Sequence, residues 1–205
     1  MKLIRFAVVG LCIFGVGAGA YAIGRLAGVF PPSPLPPYAP WTALHFSTAI
    51  VFASLLPLQL WPALRARRPA LHRWTGRFAA GVGAVMAASG VSMAYLVPER
   101  PVAEKIFMTA FFLTWSGMLA LGVRAAMRRD IETHRAWMAR MTATSLTPLV
   151  QRLIFPAFAL GVGIDGLATF WQLFVSAAWI AWALSLATAE VWLRGRPAAA
   201  RLGVA

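Results

Sequence analysis

Residues 106–140 read IFMTAFFLTWSGMLALGV and then RAAMRRDIETHRAWMAR. The first run carries no Asp, Glu, Lys or Arg. It is close to the roughly 20 residues that cross a hydrocarbon core of about 30 Å at 1.5 Å per residue. The second run is basic and ends in a His-Arg pair followed by a further arginine. An apolar span that empties into an arginine-rich elbow is the unit from which the rest of the chain is built.

The unit recurs. Residues 6–24, 41–64, 78–98 and 166–189 are also free of charge, and 141–163 carry a single one, Arg152. Overall the 205 residues are 60% hydrophobic and 12% charged, with mean hydropathy +0.71. Those values exclude an ordinary soluble domain. Nothing alternates with the period of a barrel strand, and lipid offers the backbone no partners. The sequence therefore predicts an all-α integral membrane protein, a bundle of six transmembrane helices forming one domain over 1–205.

Charge sets the expected orientation. Lys2, Arg5, the 65–77 and 124–140 elbows and the tail from Arg194 onward hold 15 of the 19 basic residues, all on one side. The positive-inside bias predicts both termini in the cytoplasm of a bacterial inner membrane. The net charge of +13 follows from this topology and from contact with anionic lipid. Loops this short, with no soluble domain, do not build a nucleic-acid surface.

The first helix, 4–24, has a second reading as a signal-like anchor. Lys2 and Arg5 precede it and Ala20-Tyr21-Ala22 resembles a small-residue cleavage site. Cleavage would remove the single cysteine, Cys12, and leave five spans with unchanged orientation. With one cysteine, no intrachain disulfide forms. Residues 30–40, rich in proline, read as a stiff outer connector.

Two of the three histidines close matching basic phrases: Arg67-Arg68-Pro69-Ala70-Leu71-His72-Arg73 and Arg128-Arg129-Asp130-Ile131-Glu132-Thr133-His134-Arg135. Pro69 suits the first turn of a helix and Asp130 an N-cap, so each histidine is expected about one turn inside a helix. After His72, positions 76, 79, 80, 83, 87 and 90 form a Gly/Ala stripe that lets a backbone or flat ligand approach. After His134 the stripe is Met138, Met141, Ser145, Leu149 and Arg152, with kinks expected at Pro148 and Pro156.

Two readings fit the His-Arg pairs. In one they are interfacial, forming a basic site for anionic lipid head groups or a membrane partner subunit. In the other, His72 and His134 are axial ligands of a b-type haem, with Arg73, Arg77, Arg135 and Arg140 neutralising propionates, and Met138 or Met141 able to replace one imidazole. The third histidine, His45, is expected to make a polar contact within the bundle, with Gln59 further along the same helix as candidate partner.

Arg152 lies mid-span. A charge at the bilayer centre costs at least about 2.5 kcal/mol on insertion scales, so it should face the bundle, with carbonyls at the proline kinks, Gln151, Gln172 or Thr114 as partners. An anion or quinone is the functional alternative. Nucleotide-binding glycine loops, zinc spacings, hydrolytic triads and paired intramembrane carboxylates are all missing from the sequence.

These residues resemble a bacterial family of multi-pass membrane proteins called domain of unknown function 2306. The resemblance rests on His45 with Gln59, on His72-Arg73-x-x-Gly76-Arg77, on His134-Arg135-x-Trp137-Met138-x-Arg140 and on Arg152, and covers about 41–190. Phe78 departs from the tyrosine expected after the Gly-Arg pair. The family implies an inner-membrane location and no established activity. The leading expectation is a non-catalytic membrane component with a basic cytoplasmic-face His/Arg site. A membrane cytochrome is the alternative, and a passive anion transporter using Arg152 ranks last.

Overall fold

The computed structural model describes residue 17 and residues 39–96 and 100–195, so the expected first span and the proline-rich connector lie outside the described residues. Seven helices follow: α1 (Ala39–Leu60), α2 (Pro62–Arg67), α3 (Pro69–Leu96), α4 (Val102–Met127), α5 (Ile131–Ser145), α6 (Thr147–Val162) and α7 (Leu167–Arg194). With α5 and α6 taken as one span, five helices are long and apolar enough to cross a membrane. No strand occurs among the described residues.

Proline chemistry sets several of these boundaries. Pro62 holds Trp61 extended at φ −80°, ψ 109°, which ends α1 before the expected charge-free run does. Pro69 opens α3, where its missing N–H is not needed. At Leu146 the fifth span breaks, because Pro148 cannot donate to Thr144 and falls instead in the first turn of α6. Pro156 lies inside α6 without ending it. The two expected kinks thus differ: one restarts the helix and the other is absorbed.

The described residues fall into two compact units divided at Arg100 and Pro101. In the first, α1 and α3 pack as an antiparallel pair, with α2 against α3. The α3 face buried is Ala79, Gly83, Ala87, Ser89, Gly90, Met93 and Ala94, largely the small-residue stripe read from the sequence. Phe52, Ala53 and Leu56 are the buried side chains of α1. In lipid such packing is driven by van der Waals contact and interhelical hydrogen bonds, so small side chains that let backbones approach are favoured.

In the second unit α7 is central, touching α4, α5 and α6. Ala177, Ala178 and Ala181 are almost fully buried and leave room for its neighbours. Aromatic side chains fill the gaps. Phe107 lies edge-on to Trp179 at 5.2 Å and Phe111 edge-on to Trp182 at 5.7 Å, tying α4 to α7. Phe155 meets Phe170 and Phe174 at 5.4 and 5.6 Å, tying α6 to α7. Gln151 adds a hydrogen bond from its Nε2 to the Phe174 carbonyl at 3.1 Å.

Candidate functional site: two basic elbows

In the first unit the elbow is α2 and the first turns of α3. His72 sits four positions into α3, its backbone N–H donating to the Arg68 carbonyl at 3.2 Å. Its ring is half-buried, whereas Arg67, Arg68, Arg73 and Arg77 are exposed. The Arg77 guanidinium stands 5.4 Å from the Trp74 ring. That geometry suits a cation–π contact in which Trp74, itself 68% exposed, anchors the arginine at an interface.

Gln59 reaches across from α1 and donates from Nε2 to the Thr75 hydroxyl at 2.6 Å. The Thr75 hydroxyl in turn donates to the Leu71 carbonyl at 2.8 Å. Gly76 makes room for this contact, since a Cβ there would stand 3.0 Å from the Gln59 Oε1.

The expected His45–Gln59 pairing is corrected. His45 Nδ1 lies 2.9 Å from the Met86 carbonyl on α3. Only an N–H can face a carbonyl, so that nitrogen carries the proton. Fourteen residues along one helix separate His45 from Gln59 by about 21 Å, too far to meet. Each instead ties α1 to α3 at its own level.

In the second unit the elbow joins α4 to α5. The Asp130 N–H donates to the Ala125 carbonyl and the Arg129 N–H to the Ala126 carbonyl, both at 3.0 Å. This is a Schellman ending, and it places Arg129 in the left-handed region at φ 62°, where glycine is usual. Asp130 then caps α5 as the sequence predicts, accepting from the Thr133 N–H at 3.1 Å.

The Thr133 hydrogen bonds hold the Asp130 carboxyl below its ordinary pKa. A depressed folded-state value means that the cap is fully formed above the usual carboxylate range and is lost as pH falls through the folded value. Hydrogen exchange at the Thr133 amide is therefore expected to speed up in acid beyond its intrinsic pH trend. In Asp130→Asn, which keeps an acceptor without the charge, that acid response should vanish.

His134 occupies the same register as His72, four positions into its helix, with its N–H on the Asp130 carbonyl at 3.0 Å. Its Nδ1 lies 2.9 Å from the Gly122 carbonyl of α4. Gly122 is a point of close approach: a Cβ there would overlap Met138 Cε and stand 3.3 Å from Trp137 Cβ. Deeper along the stripe Met141 is buried, and Trp115 on α4 donates from Nε1 to the Ser145 hydroxyl at 2.9 Å. The stripe from His134 through Met138 and Met141 to Ser145 is thus the surface on which α5 meets α4.

Arg140 leaves on another side of α5. It grips Glu190 of α7 through two hydrogen bonds, Nε to Oε1 at 2.5 Å and Nη2 to Oε2 at 3.1 Å, and its guanidinium lies 5.0 Å from the Trp137 ring. This fork is a charge-assisted, two-point contact between α5 and α7. The sequence reading placed Arg140 with the anion-binding arginines and missed Glu190, fifty residues away. Arg124, Arg128, Arg129 and Arg135 remain exposed around the elbow.

Arg152 donates from Nη1 to the Pro148 carbonyl at 2.9 Å, one of the kink carbonyls expected to receive it, and its side chain is exposed. Glu104 was also missed. It lies in the first turn of α4 at 3% exposure. An acid in a helix's first turn is favoured by the helix dipole, but its burial has no local signal.

The elbows, the stripe and the Arg140–Glu190 fork lie within the region that comparison with known families recognises. Nothing among curated proteins or among solved structures matches the chain. A family model described as "Predicted membrane protein (DUF2306)" matches residues 42–193. With that match spanning all five described spans and both elbows, the chain belongs to the DUF2306 family of predicted membrane proteins.

Proposed function

We propose that the protein is a non-catalytic component of the bacterial cytoplasmic membrane whose two elbows hold anionic lipid head groups at the cytoplasmic leaflet. One observation carries the reading. At each elbow, exposed arginines alternate with exposed apolar side chains: Leu71 and Trp74 are 45% and 68% exposed, Met127 and Ile131 80% and 49%. An arginine ring interleaved with apolar groups suits the depth where acyl chains give way to phosphates. A soluble partner gives no comparable reason to leave Met127 bare.

The half-buried members of the set serve the scaffold. His134 and Met138 close the α4–α5 joint, and Arg140 is clasped by Glu190. The outward-facing Arg73, Arg77 and Arg135 are then the residues that meet phosphate, each worth about 1 kcal/mol near an anionic surface.

Reconstitution in nanodiscs tests this. Thermal unfolding is expected to move upward when phosphatidylglycerol replaces phosphatidylcholine, less so in high salt, and least in the Arg73→Gln/Arg135→Gln double variant. Equal midpoints in both lipids would overturn the reading and favour a protein partner at the elbows.

A b-type cytochrome is the second reading, favoured by one observation. With its Nδ1 proton directed at the Gly122 carbonyl, His134 presents Nε2 as a lone pair, the arrangement that orients metal-binding imidazoles. On this reading His134 is one axial ligand and Arg135, exposed at the same elbow, faces a propionate. Absorption spectra of the purified protein, oxidised and dithionite-reduced, decide it. A Soret band and sharp reduced α band, lost in His134→Ala, would establish haem. A colourless preparation after expression with added haem would remove it.

A further inference from the structure

We propose that an ordered water is bound inside the second unit where α5 breaks into α6. The hydroxyls of Thr147 and Ser185 and the indole N–H of Trp182 hold it between α6 and α7. Thr147 and Ser185 are 2% and 6% exposed. Among the described residues neither hydroxyl oxygen has a hydrogen-bond partner, and the buried Nε1 of Trp182 has none either.

A hydroxyl inside a helix can satisfy itself by donating to the carbonyl one turn back. Ser89, Ser145 and Thr188 do so, on Val85, Met141 and Leu184 at 2.8, 2.9 and 2.7 Å. Ser185 lies in an unbroken stretch of α7, so the Ala181 carbonyl is within its choice, yet its oxygen does not take it. Thr147 opens α6 just past the break at Leu146.

The three groups come from facing helices. The α5–α6 span runs antiparallel to α7, with Arg140 on Glu190 at one crossing and Gln151 on the Phe174 carbonyl at another. Thr147 lies between those crossings on one side, and Trp182 and Ser185 lie between them on the other. Thr147 is four residues before Gln151 and shares its buried side of α6. Trp182 and Ser185 are three apart and share a face of α7.

The break gives water a reason to be there. Pro148 has no N–H, so the carbonyl of Thr144, a fully buried residue, loses its usual helical donor. Proline is tolerated at membrane depth when hydroxyl side chains and ordered waters make good such losses. Chemistry then says what the occupant is. Glu190 is engaged by Arg140 and Gln151 by Phe174, so the seam does not call for an ion. The surrounding Ala177, Ala178 and Ala181 are buried and closely packed, which keeps the occupant small. An indole N–H only donates, whereas a hydroxyl donates or accepts. Water answers both, and it settles where about three polar groups converge.

The test is a water-contact NMR spectrum of the full-length protein in detergent micelles, read at the indole N–H signals. There are nine tryptophans, and Trp182 is identified by the signal lost in Trp182→Phe. The expected result is a cross-peak between water and the Trp182 indole proton, weakened several-fold in Ser185→Ala and in Thr147→Val. Both variants should also lower the thermal midpoint by a few degrees, because each leaves the water short of a partner. A hydroxyl that holds nothing costs nothing to remove, so an unchanged or raised midpoint in both variants would overturn the proposal. So would a Trp182 signal without a water cross-peak, or a cross-peak that neither variant weakens. If a variant fails to fold, the wild-type spectrum alone decides, by the presence or absence of that cross-peak.

Discussion

Trp115→Ala is expected to destabilise the second unit by about 3 kcal/mol, the low end of the range for removing a large buried aromatic. Trp115 is 1% exposed, and its indole fills the space between α4 and α5 while donating to Ser145. In lipid the loss is mainly one of packing, because the transfer term that favours burial in water is weak there. Trp115→Phe keeps most of the volume and removes only the donor, so it should cost about 1 kcal/mol. The two are compared by unfolding in mixed detergent micelles. Equal losses would mean that the hydrogen bond, not the ring, holds the joint.

Glu190→Gln is the second large effect. The Arg140–Glu190 fork joins α5 to α7, and its side chains are 25% and 37% exposed, so it is neither a surface pair nor a dry one. Glutamine keeps one acceptor but loses the charge and replaces the second acceptor of the fork with a donor, so the guanidinium is left with a single neutral hydrogen bond beside the Trp137 ring. Breaking a fully buried pair costs about 3–5 kcal/mol, and partial exposure brings the expected loss to about 1–2 kcal/mol. The double variant Arg140→Met/Glu190→Leu is expected to recover much of it, since no charge is then stranded. Recovery by the double variant identifies a desolvated pair. If the single variant is silent, the fork is only a surface contact.

The basic elbows and the fork divide the arginines of this protein into two kinds. Arg73, Arg77 and Arg135 point outward and are available to phosphate, whereas Arg140 is committed to another helix. The same division applies to the histidines. His45 and His134 each direct Nδ1 at a carbonyl of a neighbouring helix, Met86 and Gly122. A family motif built on His-Arg pairs therefore mixes scaffold positions with surface positions, and variants should be read in that light.

Arg129 illustrates a position where local chemistry and conformation disagree. Its left-handed backbone favours glycine, yet an arginine stands there beside Arg128. The proposed lipid contact gives that side chain a use which a glycine could not serve.

The sequence by itself determined the membrane character, the five described spans, the arginine-rich elbows and the two helix starts at Pro69 and Asp130. These follow from local rules: charge is excluded from hydrocarbon, proline lacks a donor, and a carboxylate caps orphan N–H groups. The Gly/Ala face of α3 was legible for the same reason, being a repeat along one helix. What only the tertiary structure decided was how each helix is rotated and what meets it. Arg140 finds Glu190 fifty residues on, Trp115 finds Ser145 thirty residues on, and His45 turns to Met86 instead of Gln59. Along an apolar helix, several faces are equally acceptable to lipid, and only the shape and hydrogen bonding of a neighbour select among them.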